Sequence, residues 1–120
     1  MVELLKNIPP QVVAFRASGE VTKDDYDNVI FPEVSKHVDQ SFDLNYVFII
    51  ETELKNFTAA AWMSDAWLGL KNIAKWHKVA IVSDDDKICK FTDGASHFLP
   101  GEFKGFTKNE EDAAIAWAAL

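Results

Sequence analysis

Two uninterrupted apolar runs, Tyr46-Val47-Phe48-Ile49-Ile50 and Val79-Ala80-Ile81-Val82, do most to limit what this 120-residue chain can fold into. A strand with one wet face alternates apolar and polar residues, whereas a strand covered on both faces does not. Both runs therefore read as inner strands of a parallel sheet with helices packed against it. Parallel neighbours need a long crossover, and the pattern from about Thr58 to Trp76 supplies one as a helix carrying Trp62, Trp67 and Trp76.

The flanking segments complete the layout. Val2 to Leu5 and Val12 to Phe15 read as strands joined by the turn Asn7-Ile8-Pro9-Pro10, hence an antiparallel hairpin. Thr22 and Asp25 form a T-x-x-D capping box, with Val21 placed to staple against Tyr26. The helix it opens carries Tyr26, Val29, Ile30, Val34 and Val38 at helical spacing, and Pro32 predicts a kink or break. After the second apolar run, Ser83 is placed to cap a helix with the face Ile88, Phe91, Ala95 and Phe98, ended by Pro100-Gly101. Phe103 between Glu102 and Lys104 is a short edge strand. Thr107-Lys108-Asn109-Glu110 is a capping box opening a last helix, Ala113 to Leu120. The order β-β-α-β-α-β-α-β-α predicts an α/β fold over residues 1–120. Its sheet is mixed and five-stranded, with an N-terminal β-hairpin and four helices.

Charge and composition exclude several functions. Twelve basic against nineteen acidic residues leave a net charge of −7, which repels a phosphate backbone and argues against nucleic-acid binding. No apolar run approaches the roughly 20 residues of a membrane span. No signal peptide is visible, and the single Cys89 cannot close an internal disulfide, which predicts a cytoplasmic protein. The five glycines form no phosphate loop, so no cofactor is assigned.

Three groups of residues could carry chemistry. Glu51, Glu53 and Asp84 follow the two inner strands, where open α/β sheets form ligand crevices, and could hold Mg²⁺. Asp84 to Asp86 equally suit the first turn of a helix, where carboxylates complement the dipole. Cys89 could act as a nucleophile beside a histidine, although lone cysteines mostly serve as small buried hydrophobes. On the tryptophan helix, Trp62, Ala66, Leu70 and Ile73 share one face, and Met63, Trp67, Leu70 and Ala74 an overlapping one. Together they are wider than one sheet-facing stripe needs, so part of this surface fills the core, meets a partner or lines a cavity. Lys71, Lys75 and Lys78 beside these tryptophans also suit an anionic lipid headgroup and a peripheral membrane contact.

The layout resembles the SpoIIAA-like family related to the STAS domain, some of whose members are likened to Sec14-type lipid-binding modules. The resemblance rests on Gly19-Glu20-Val21-Thr22 with Asp25-Tyr26, on Pro32-Glu33, on Lys78-Val79-Ala80-Ile81-Val82 followed by Asp84, and on Phe106, Glu110-Glu111 and Ala113-Ala114-Ile115-Ala116-Trp117. It implies a STAS-like sheet and, by analogy with anti-sigma-factor antagonists, a phosphorylated hydroxyl at the start of the helix after the central strand. Thr58 holds that position here, with no aspartate before it. Two functional expectations follow. One is a non-enzymatic domain binding an apolar or lipid-like small molecule through Trp62, Met63, Trp67, Leu70, Lys71 and Lys75. The other is a homodimeric partner-switching module regulated at Thr58.

Overall fold

A computed structural model describes residues 1–39, 43–72, 74–97 and 99–120. Its sheet has five strands, β1 (Val2–Leu4), β2 (Val12–Ala17), β3 (Leu44–Ile50), β4 (Trp76–Val82) and β5 (Glu102–Phe106), in the spatial order of the chain. β1 pairs antiparallel with β2, and the other neighbours are parallel. Every residue of β3 is buried, as a strand at the centre of a covered sheet requires.

A sheet laid down in sequence order places its connecting helices on one face, because each β-helix-β crossover is right-handed. α1 (Lys23–Asp25), a π-helical stretch (Tyr26–Ile30) and α2 (Phe31–Asp39) form the first continuous helix. α3 (Ala59–Lys71) and α4 (Asp86–Ala95) follow. The core on this side joins Phe15, Tyr26, Ile30, Val34, Tyr46, Phe48, Leu68 and Val79. α5 (Glu111–Ala118) follows the last strand and is free of any crossover. It covers the opposite face, burying Ala114 and Ala118 against Ala14, Val47, Ala80 and Val82. On that face Arg16 holds Glu111 of α5 through both guanidinium ends, at 2.8 and 3.0 Å, and reaches Glu51 at 2.5 Å.

Both predicted capping boxes form, at Thr22 with Asp25 and at Thr107 with Glu110. Pro32 does not end the first helix; the irregularity expected there takes the form of the π-helical stretch just before it. Pro32 has no N–H to give to the preceding turn, and its ring crowds a carbonyl there, so the ladder widens by one residue.

Three boundaries depart from the sequence reading. The tryptophan helix stops at Lys71, and Trp76 opens β4 instead of closing α3. Asn72 ends the helix, its Nδ2 donating to the Leu68 carbonyl at 3.0 Å. Pairing shifts from Leu44–Trp76 to Asn45–Lys78, which leaves His77 as an extra residue on β4. Such a bulge resets the side-chain alternation, so Trp76 and Val79 share the α3 face despite their odd spacing. The cap of α4 is Asp85, whose carboxylate accepts from the Lys87 N–H at 2.9 Å, while the Ser83 hydroxyl accepts from the Asp85 N–H, outside the helix. Phe91, assigned to the apolar inner face of α4, is 80% exposed. Phe98 and Ile73, expected on the faces of α4 and of the tryptophan helix, lie outside the described residues.

Candidate functional site

α3 rests on the sheet through small residues. Ala61, Ser64 and Leu68 are its buried positions, spaced by three and four, so the helix approaches the core along a narrow line. Thr58 starts it: its Oγ accepts from the Ala61 N–H at 3.1 Å, and its own N–H bonds the Val21 carbonyl at 2.9 Å. The hydroxyl expected to be a phosphate acceptor thus sits at the helix start and is engaged as the cap.

Beside that line, Trp62, Asp65, Ala66, Gly69 and Leu70 face α4 across a groove of about 690 Å³. Ile88, Phe91, Thr92 and Ala95 of α4 form the opposite wall. A ladder of aromatic rings makes the floor. Trp62 stacks on Phe57 at 4.9 Å, Phe57 meets Phe48 edge-on at 6.3 Å, Phe48 meets Tyr46 at 6.1 Å, and Tyr46 meets Trp76 at 5.6 Å. Stacked and edge-to-face rings are mutually attractive, which holds this floor rigid. Trp76 is pinned further by its indole N–H, which donates at 3.1 Å to the Gly69 carbonyl in the last turn of α3.

One polar cluster interrupts the apolar lining. The Tyr26 hydroxyl donates to Asp65 Oδ1 at 2.9 Å. Burial raises the Asp65 carboxyl above the ordinary aspartate range, and the bond from Tyr26 offsets part of that. Tyr46, 4% exposed, lines the same groove, and its hydroxyl has no hydrogen-bond partner among the described residues. Burial and the nearby Asp65 charge raise the Tyr46 and Tyr26 hydroxyls as well.

Of the residues expected to bind a ligand, Trp62 and Leu70 line the groove. Met63 and Trp67, 75% and 58% exposed, lie on α3 outside it, as does the exposed Lys71, and the exposed Lys75 lies outside it in the connection between α3 and β4. The lysine cluster is also divided. Lys78 sits on the α5 face, 3.6 Å from Glu102 and 5.0 Å above the Trp117 ring. Tyr46, Asp65 and the α4 wall were missed by sequence reasoning, because which helices stand side by side on a sheet leaves no local periodicity, whereas Trp76 was among the residues of the tryptophan helix considered for a cavity lining. Asp65, a carboxylate among apolar neighbours on a helix, was the one available signal.

Glu51, Glu53 and Asp84 do gather around a second depression at the carboxyl ends of β3 and β4. Each carboxylate has a partner of its own: Arg16 for Glu51, Lys55 at 3.0 Å for Glu53, and the Lys108 N–H at 3.0 Å for Asp84. Among the described residues no group of three metal-ligating side chains is arranged to hold an ion. The Cys89 thiol lies against the Ser83 and Phe106 carbonyls, and burial together with neighbouring carboxylates raises it, which works against a reactive thiolate. His77 Nδ1 bonds Asn45 Oδ1 at 2.8 Å.

A mixed sheet with one antiparallel edge, three crossover helices on one face and a C-terminal helix on the other defines a STAS-type α/β domain. The chain belongs to the SpoIIAA-like family, whose model matches residues 12–119. It is similar to the crystal structure of an uncharacterized protein with a SpoIIAA-like fold from Shewanella loihica PV-4. The TM-score is 0.71 and the identity 28%, covering 98% of this chain and 93% of that one. No curated protein sequence matches. No helix among the described residues is long and apolar enough to cross a membrane.

Proposed function

We propose that this is a non-catalytic binding domain whose groove between α3 and α4 takes an apolar, lipid-like small molecule. The observation that carries the reading is the groove itself. Its volume of about 690 Å³ falls within the range of roughly 300–1,000 Å³ typical of small-molecule sites, and its floor is an aromatic ladder. Among the described residues, four of the eight large exposed apolar side chains, Trp62, Leu70, Phe91 and Leu99, line it. Exposed apolar surface concentrated around a concave site favours a ligand over chance exposure. Nile red, a neutral apolar dye, tests the reading directly. The wild type takes it up with a saturable rise in emission, and Trp62→Ala weakens uptake several-fold. Absence of saturable uptake by the wild type refutes the reading.

A second reading rests on the part of α3 that the groove does not use. Met63 and Trp67 form an exposed apolar pair four residues apart, which suits contact with a second copy of the chain. Light scattering then gives the mass of a dimer for the wild type and of a monomer for Trp67→Ala. A monomeric wild type disposes of this reading.

A further inference from the structure

The hydrogen-bonding capacity of the groove is almost all spent within the protein. Thr92 Oγ1 donates to the Ile88 carbonyl at 2.8 Å, Asp85 caps α4, the Trp76 indole N–H is held by Gly69, and the Tyr26 hydroxyl is held by Asp65. Beside the aromatic floor, the buried Tyr46 hydroxyl has no partner among the described residues, and Asp65 receives the Tyr26 bond on only one of its two carboxyl oxygens. The Tyr46 hydroxyl is closed off from the surface, so a ligand group that reaches it from the groove supplies a partner the protein does not. A buried hydroxyl without a partner is uncommon in a folded chain and calls for a reason.

Charge narrows the chemistry. Lys87 is the one cation among the described residues lining the groove, and it belongs to the first turn of α4, just past the carboxyl end of β4. Tyr46 pairs with Val79, three residues, or about 10 Å, short of that end at Val82. An anionic headgroup placed at Tyr46 and Asp65 therefore meets a carboxyl group and no counter-charge. A hydroxyl suits both atoms, since it accepts from one O–H and donates through its own. It also suits Asp65 in either protonation state, because a neutral carboxyl offers an acceptor as well as a donor.

Resting on the groove reading above, we infer that the ligand is an uncharged amphiphile whose apolar body lies on the aromatic ladder. Its terminal hydroxyl accepts from Tyr46 and donates to Asp65. This is the chemistry of a long-chain alcohol and not of a free fatty acid, which brings an unpaired negative charge, or of a cationic lipid, whose ammonium has no lone pair to accept from Tyr46.

Chain-matched competitors separate the classes. Decanol, decanoate and decylammonium are titrated at neutral pH against Nile red bound to the wild type, to Tyr46→Phe and to Asp65→Asn. Thermal melts confirm that each variant is folded. Decanol is expected to displace the dye at a concentration at least about tenfold lower than the two charged competitors. Tyr46→Phe should weaken decanol about fivefold more than it weakens Nile red, the loss of one ordinary hydrogen bond. Decanoate or decylammonium equalling decanol overturns the inference, as does undiminished decanol binding by both variants. A wild type that takes up Nile red but yields it to none of the three refutes the headgroup assignment alone. One that never takes up the dye removes the groove reading and this inference with it.

Discussion

Replacing Gly105 by alanine tests how tightly α4 is held against the sheet, and therefore how well defined the groove wall is. Gly105 lies in β5 opposite Ile81 of β4, and its N–H donates at 2.8 Å to Asp93 of α4. A Cβ built there falls 2.6 Å from the Cys89 Cα, 2.7 Å from its Cβ and 2.9 Å from its carbonyl oxygen. Carbon atoms settle at about 3.5–4.0 Å, so α4 has to retreat by about 1 Å. The obstacle is mostly helix backbone, which no rotamer change relieves. Overpacking of this kind costs about 1–3 kcal/mol. Unfolding entropy near 2.1 cal/mol/K per residue gives ~0.25 kcal/mol/K for a chain of this length, so the melting temperature falls by about 4–12 °C. Gly94→Ala, in the same helix, is the control. Its Cβ meets nothing within 4 Å, and it gains about 0.5–1 kcal/mol from helix propensity, or roughly 2–4 °C. Thermal unfolding followed by far-UV circular dichroism reads both. If Gly105→Ala melts with the wild type, the β5–α4 packing described above is wrong.

Three further perturbations have defined outcomes. Thr58→Ala removes the cap of α3 and should cost about 1 kcal/mol in chemical denaturation, whereas Thr58→Asp retains a capping oxygen and should cost little; equal losses would mean the cap contributes nothing. Arg16 lowers the Glu111 carboxyl below the usual range, so the ion pair stabilises the fold above about pH 4.3, and that benefit disappears as pH falls through the folded-state value. The stability gap between wild type and Glu111→Gln should accordingly close on acidification; a gap independent of pH would contradict it. Burial raises Asp65, so ionising it costs stability as pH rises from about 3.9 through the raised value. Asp65→Asn keeps an acceptor for Tyr26 and should gain on the wild type between acid and neutral pH in parallel denaturation curves, an advantage whose absence would show that burial there carries no penalty.

The fold was largely legible in the sequence because its signals are local. Both capping boxes span four residues, the hairpin turn is marked by Pro9 and Pro10, and the inner strands declare themselves by the lack of alternation in Tyr46–Ile50 and Val79–Val82. What failed was set by tertiary pairing. Trp76 continues an amphipathic pattern that any reading of spacing extends into α3, yet pairing with Leu44 and a bulge at His77 draw it into β4. The site was legible only on the α3 side. Trp62 and Leu70 emerged because a helix carrying more apolar surface than one face needs is visible in a single segment. Tyr46 and Phe48 looked like ordinary core. Their role as a floor depends on α3 and α4 standing apart, and the contact of Tyr26 with Asp65 spans 39 positions.

Native mass spectrometry of the protein as purified, with solvent extraction of the same sample, tests the central claim most directly. The account predicts a folded species heavier than the 120-residue chain by the mass of one small apolar molecule, which extraction recovers and Trp62→Ala diminishes. A bare chain mass, with no mass added when decanol or Nile red is supplied in excess, would contradict it.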